Sequence, residues 1–173
     1  MLALIDRLER LVETLGGVAR GCVLALVLLV SVNVLIRYGF SISPVALQEL
    51  EWFLISPIAL LGISYVLKHR ADVRVDFLYE KFQPRLRAAV DLFSALSTCL
   101  IGCFLAWVCW RYMMQSYQMG EGSPDPGGLP HRYLVKAFLP LGFALFGLQG
   151  IADTLRALRT LCAPHSRVQE VTA

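Results

Sequence analysis

Four uninterrupted apolar runs, none holding an Asp, Glu, Lys, Arg or His, decide what this chain can fold into. They are Gly21 to Ile36, Trp52 to Leu67, Leu92 to Trp110 and Ala137 to Ala152, of 16, 16, 19 and 16 residues, each bounded by charged residues. A helix rises about 1.5 Å per residue and the hydrocarbon core of a bilayer is about 30 Å thick. The runs are therefore close to spanning length, and the flanking Arg and Lys side chains can snorkel to lengthen them. The first run also extends backward from Ala19 to Leu15. Of the 173 residues, 57% are hydrophobic and 17% charged, and the mean hydropathy is +0.61. A soluble domain carries roughly 25% charged residues, so too little polar sequence remains here to cover four buried helices.

The reading is an all-α membrane protein with a single domain over 1–173. An amphipathic helix over 1–16 precedes spans at 17–38, 44–67, 84–118 and 132–161. The first span is expected to stay as an anchor. Its leader holds Asp6, Glu9 and Glu13 as well as arginines, and no small-residue cleavage site follows. Twelve Lys and Arg fall in the N-terminal segment, the middle loop and the tail, against four in the other two loops. The positive-inside rule then places both termini in the cytoplasm of a multi-pass inner-membrane protein.

Leu4, Ile5, Leu8, Leu11, Val12 and Leu15 make a helically spaced stripe, with Asp6, Arg7, Glu9, Arg10 and Glu13 largely opposite. Such a helix suits a membrane surface or a partner subunit. Ser43-Pro44 and Gln83-Pro84 are helix starts. Gly120 to Pro130 contains four Gly and three Pro, which exclude helix and strand and leave an ordered turn series or a flexible strap.

Catalytic and redox chemistry find no foothold. The histidines, His69, His131 and His165, lie outside the runs, where they cannot hold a membrane haem. Neither outer loop has the cysteine pair that a quinone-linked thiol oxidase needs, and the five cysteines form no C-x-x-C. No cofactor or metal site is expected, and a net charge of +3 is too small for a nucleic-acid binder. The spans hold no mid-membrane ionisable group, which argues against a carrier acting alone. Ser31, Asn33, Ser56, Ser64, Ser94, Ser97, Thr98 and Gln149 are read as interhelical hydrogen-bonding groups. Arg37 and Tyr38 end the first span on the side where Glu49 and Glu51 begin the second. An Arg37–Glu pair would pin the two helices; ordinary interfacial anchoring is the alternative. Asp72, Arg74 and Asp76 alternate with Val73 and Val75, a short interfacial segment or a solvated loop.

These residues also resemble a known family. Asn33-Val-Leu-Ile-Arg37-Tyr38, Gln48-Glu49-Leu50-Glu51, and Lys68-His-Arg-Ala-Asp72-Val73-Arg74-Val75-Asp76 are similar, in order, to motifs of the small membrane subunit of tripartite ATP-independent periplasmic (TRAP) transporters, the DctQ-like family. Asp72 stands where that family usually has His. Gly122-Ser123-Pro124-Asp125-Pro126-Gly127-Gly128-Leu129-Pro130, with Tyr133, Lys136, Pro140 to Phe143 and Gln149-Gly150, resembles the branch associated with mannitol or chloroaromatic substrates. The resemblance implies a non-catalytic subunit packed on a large DctM-like membrane subunit. That large subunit would hold the substrate and sodium sites of a symporter. A periplasmic solute-binding protein would deliver an organic acid or related solute, and membrane lipids would surround the assembly. Asn33, Arg37, Tyr38, Glu49 and Glu51 become helix-pinning or interface candidates, and Arg74 and Asp76 cytoplasmic-loop candidates. Pro124, Asp125, Pro126, Gly127, Gly128, Pro130 and Lys136 become periplasmic docking candidates. The competing reading is a membrane anchor or assembly subunit of another inner-membrane complex.

Overall fold

The computed structural model describes residues 2–69 and 82–162. Four helices hold most of them: α1 (Leu2–Phe40), α2 (Val45–Lys68), α3 (Pro84–Gln118) and α4 (Tyr133–Cys162). All four are long and apolar enough to cross a membrane, and no strand occurs among the described residues. The four apolar runs thus produce the all-helical architecture that their lengths demand.

The 39-residue α1 has no break between the amphipathic segment and the first span. Gly16 and Gly17 would be expected to weaken a helix by about 1 kcal/mol each relative to Ala. Gly16 has a packing reason to be there: a Cβ at this position would collide with the Tyr65 ring of α2. Val12, Gly16 and Ala19 are the buried positions of this stretch, while Leu11 and Val18 are exposed. The inward face therefore runs Glu9, Val12, Glu13, Gly16, Ala19, and not along the full leucine stripe. Leu15 and the half-buried Glu9 and Glu13 share this side, while Leu11 and Val18 point away from the bundle.

Helix α1 ends where Ser41 takes a left-handed φ of 55° and turns the chain into the connection 41–44. Pro44 is the extended residue before α2, so this helix starts one residue later than Ser43-Pro44 suggested. Ser43 does not cap the backbone; its Oγ accepts a hydrogen bond from Gln48 Nε2 at 2.8 Å. Extended Gln83 precedes α3, and Pro84 opens it, where its missing N–H costs nothing. Pro57 and Pro140 both lie buried inside helices that continue past them.

The starts of α2 and α4 lie with the 119–132 connection at one end of the bundle, the loop end. The start of α1 lies with the ends of α2 and α4 at the other, the terminal end. Helix α4 is the hub. It packs extensively on α3, also on α2, and more lightly on α1, whose main neighbour is α2. Ala19, Leu61 and Leu145, from α1, α2 and α4, form the core, with Leu15 and Leu148 against it.

Glycines set these approaches. A Cβ on Gly102 of α3 would lie 2.5 Å from the backbone N of Gly147 and 2.6 Å from its Cα. A Cβ on Gly150 would lie 2.5 Å from Cys99 N, and one on Gly142 would lie 2.8 Å from Leu60 O of α2. Small residues let backbones meet in this way where lipid offers no hydrophobic drive for association. The outer faces of α1 and α3 stay apolar and open, with Leu24 and Leu28 69% and 67% exposed and Phe93 74%.

Gly102→Ala should therefore destabilise the bundle by about 1–3 kcal/mol, the usual cost of overpacking. Gly62→Ala, where the added Cβ meets nothing within 4 Å, should leave it unchanged or slightly firmer. Thermal unfolding of the two variants in detergent checks this contrast.

Candidate functional site

The loop end carries the most organised polar structure of the chain. The Gly- and Pro-rich connection is an ordered turn series, the first of the two forms its sequence allowed. Asp125-Pro126-Gly127-Gly128 is a tight turn closed by Gly128 N donating to Asp125 O at 3.0 Å. Pro126 fits its second position, and Gly127, with φ of 81°, supplies the left-handed third position of a type II turn. Asp125 N donates to Ser123 Oγ at 3.1 Å, and Ser123 N to Leu129 O at 3.2 Å, so the loop pairs its own base.

Glu49, from the first turns of α2, plugs this loop. Ser123 Oγ donates to its Oε1 and the Leu129 backbone N–H to its Oε2. Both carboxylate oxygens are used, and the residue is only 9% exposed. Gly128 lies against the same carboxylate, and a Cβ there would collide with Ser123 Oγ and stand 2.7 Å from Glu49 Oε2. The contact spans about eighty residues of sequence and fastens the α3–α4 connection to α2.

Glu121 is the second fastener. Its carboxylate accepts from Ser116 Oγ at the end of α3 and from Lys136 Nζ in the first turn of α4. The backbone adds Glu121 N to Ser116 O at 3.2 Å and Arg132 N to Glu121 O at 3.0 Å. The Lys136 hydrogen bond, followed by that from Ser116, holds the Glu121 carboxyl below the ordinary carboxylate range. Lys136 also lies 4.3 Å from the centre of the Tyr112 ring of α3. It is turned into the structure and is not a free cation for docking. What the loop presents outward is Pro124, Asp125, Pro126, Gly127 and Pro130, all exposed, with Gly128 half-buried beneath them.

The helix-pinning candidates divide. Asn33 Nδ2 of α1 donates to Glu51 Oε1 of α2 at 2.8 Å. Arg37 is exposed, and among the described residues no ion pair joins it to Glu49 or Glu51. Glu49 is occupied by the loop and Glu51 by Asn33, one turn deeper than Arg37. A neutral amide, not the guanidinium, makes the α1–α2 link. Tyr38 is 81% exposed and fits an interfacial anchor. Arg74 and Asp76 lie outside the described residues.

Three other polar groups of the spans, read as interhelical, bond within their own helix. Ser31 Oγ donates to Val27 O at 2.8 Å and Thr98 Oγ1 to Ser94 O at 2.9 Å. Gln149 Nε2 reaches Asp153 at 3.3 Å within α4. Gln149 and Ser64 are completely buried, and Gln149 Oε1 and Ser64 Oγ have no hydrogen-bond partner.

Sequence reasoning missed a charge network at the terminal end. Glu13 pairs with Lys68 Nζ at 2.6 Å and His69 Nε2 at 3.1 Å, with Arg20 at 3.8 Å. Glu9 pairs with Arg156 of α4, and Lys68 Nζ donates to Glu9 O at 3.1 Å. The Tyr65 ring lies between Arg20, 5.4 Å away, and His69, 4.3 Å away. The available signal was the spacing of Glu9 and Glu13, four residues apart on one helix face. A hairpin of α1 and α2 brings Lys68-His69 to the same end. Among the described residues no group of His, Cys, Asp and Glu is placed to hold a metal ion.

Two tests follow from the loop end. Glu49→Ala leaves Ser123 Oγ and the Leu129 N–H unpaired, so hydrogen exchange at the Leu129 amide should accelerate by about tenfold or more, the rate equivalent of one lost charge-assisted hydrogen bond. Unchanged exchange would mean that the loop holds itself. Glu121 has a lowered folded-state pKa, so its contribution is present above the unfolded carboxylate value and is lost as pH falls through the folded value. Wild type should exceed Glu121→Gln in melting temperature at neutral pH, and the two should converge in acid below the ordinary carboxylate range. Melting curves of both proteins across that range check it.

The arrangement thus comprises two carboxylate fasteners, an outward Pro/Gly turn and four apolar runs without Asp, Glu, His, Lys or Arg. Residues 26–160 match the family model of the DctQ component of tripartite ATP-independent periplasmic transporters. The chain is also 27% identical over 155 residues to the ectoine TRAP transporter small permease protein TeaB of Halomonas elongata, covering 90% of this chain and 76% of that protein. Neither finding supports the mannitol or chloroaromatic branch suggested by the loop sequence. They make the chain a transport component, not an enzyme, and a multi-pass protein of the bacterial inner membrane. This chain belongs to the DctQ family, the small membrane subunits of TRAP transporters.

Proposed function

We propose that this subunit is a rigid scaffold for a large DctM-like subunit, and that its loop end faces the periplasm and helps dock the solute-binding protein. Both termini then lie in the cytoplasm, in keeping with the twelve-to-four bias of Lys and Arg. The observation that carries the reading is the Glu49 clamp. It fixes a loop that carries no catalytic group, and turns Pro124-Asp125-Pro126-Gly127 outward. Fixed Pro/Gly turns lose little conformational entropy on meeting a partner. The apolar outer faces of α1 and α3 offer the lateral surface for the large subunit and for lipid. With no Asp, Glu, His, Lys or Arg in the apolar runs, the solute and ion pathway belongs to the partner. An anchor for some other complex has no comparable support, given the family match.

The test is solute uptake in cells lacking this chain but keeping the large subunit. Wild type should restore uptake. Replacement of Pro124-Asp125-Pro126 by Gly-Ser-Gly should leave the chain in the membrane but lower uptake by about tenfold, through weaker docking of the binding protein. Normal uptake without the chain contradicts the scaffold role, and full activity of the replacement contradicts the docking role.

A further inference from the structure

The loop-end stretch of α3 carries a groove that the clamp and the bundle core do not use. Trp110, Arg111, Tyr112, Met114, Gln115 and Gln118 line an open depression of about 570 Å³. Its depth in the membrane follows from the sequence. The apolar run Leu92 to Trp110 has 19 residues, about 28 Å of helix, which nearly matches the hydrocarbon core. Arg111 is the next residue and so lies at headgroup level, with apolar rings below it and amides above.

Three observations give the groove its chemistry. The Arg111 guanidinium is exposed, and among the described residues it makes no ion pair; it lies over the face of Trp107, 5.5 Å from the ring centre. Stacking presets the planar group while leaving its N–H donors free. Gln115 and Gln118 are exposed one and two turns further out, adding amide donors. Trp107 and Trp110, 59% and 53% exposed, form an apolar wall on the membrane side. The nearby carboxylate, Glu121, is taken by Lys136 and Ser116 and does not neutralise Arg111. Tyr112, held over Lys136, ties the groove wall to α4.

We propose that this groove is a binding site for an anionic phospholipid of the loop-end leaflet. The phosphodiester bonds to Arg111, the headgroup hydroxyls meet Gln115 and Gln118, and an acyl chain lies along Trp107 and Trp110. A guanidinium presents paired N–H donors that match two phosphate oxygens. The combination of a free cation, amides above it and aromatic rings below it matches a lipid end to end. An acidic protein side chain would use the cation and leave the rings without a partner. The inference stands on membrane embedding and does not depend on the docking role of the loop.

The test titrates phosphatidylglycerol into the full chain, extracted in mild detergent with whatever subunits stay bound, and counts retained lipids by native mass spectrometry. Wild type should retain one phosphatidylglycerol more tightly than Arg111→Gln by about fivefold, the effect of one surface cation on an anionic lipid. Arg37→Gln, which removes an exposed cation at the same level without the groove, should bind as wild type does. Equal retention by wild type and Arg111→Gln overturns the proposal. An equal fall in Arg37→Gln overturns it too, because the effect would then be general surface charge. Release of a bound subunit from Arg111→Gln with lipid retention unchanged also overturns it, and would assign Arg111 to a protein contact.

Discussion

The close backbone approach of α4 to its neighbours is the constraint on which the rest of the structure depends. Apolar helices in lipid gain little by hiding leucines from one another, so they associate through shape and a few polar contacts. Here Gly142 admits α2, while Gly147 and Gly150 admit α3. These contacts bring the ends of the helices near enough for short side chains to act between them. Ser123 and the Leu129 amide reach Glu49, and Ser116 and Lys136 reach Glu121, because α2, α3 and α4 have already been drawn together.

The two ends of the bundle solve different problems. At the terminal end, Glu9 and Glu13 bind α1 to α2 and α4 through ion pairs to Lys68 and Arg156 and a hydrogen-bonding contact with His69, all partly exposed. Such pairs contribute little individually, but they select which helix faces meet. At the loop end, carboxylates bind neutral hydroxyl and amide donors as well as Lys136, and the product is a fixed turn. The proposed scaffold role would draw on rigidity of this kind more than on reactive groups.

Much of this was legible in the sequence. The four apolar runs dictate the four helices, and Pro84 marks the start of α3, where its missing N–H costs nothing. Asp125-Pro126-Gly127-Gly128 reads as a turn by residue type alone. What stayed hidden was partner choice. Arg37 near two glutamates suggests an ion pair by charge, yet Asn33 makes the link, because the choice depends on helix rotation that the apolar runs leave undetermined. Glu49 could not be matched with Ser123 and Leu129, since nothing local signals a contact across that sequence distance. Which residues of α1 meet the bundle was not legible for the same reason. Val12 turns inward and Leu11 outward, a choice the apolar stripe alone leaves open.

The central claim is that this chain is a pre-shaped scaffold held by a large transport subunit. The most direct measurement is a mild-detergent pull-down of the tagged chain from its native membrane, with its partners weighed and their spectra recorded. The account predicts one stoichiometric, much larger polytopic partner without haem or flavin absorbance. Recovery of the chain alone, or with a coloured redox protein, would contradict it.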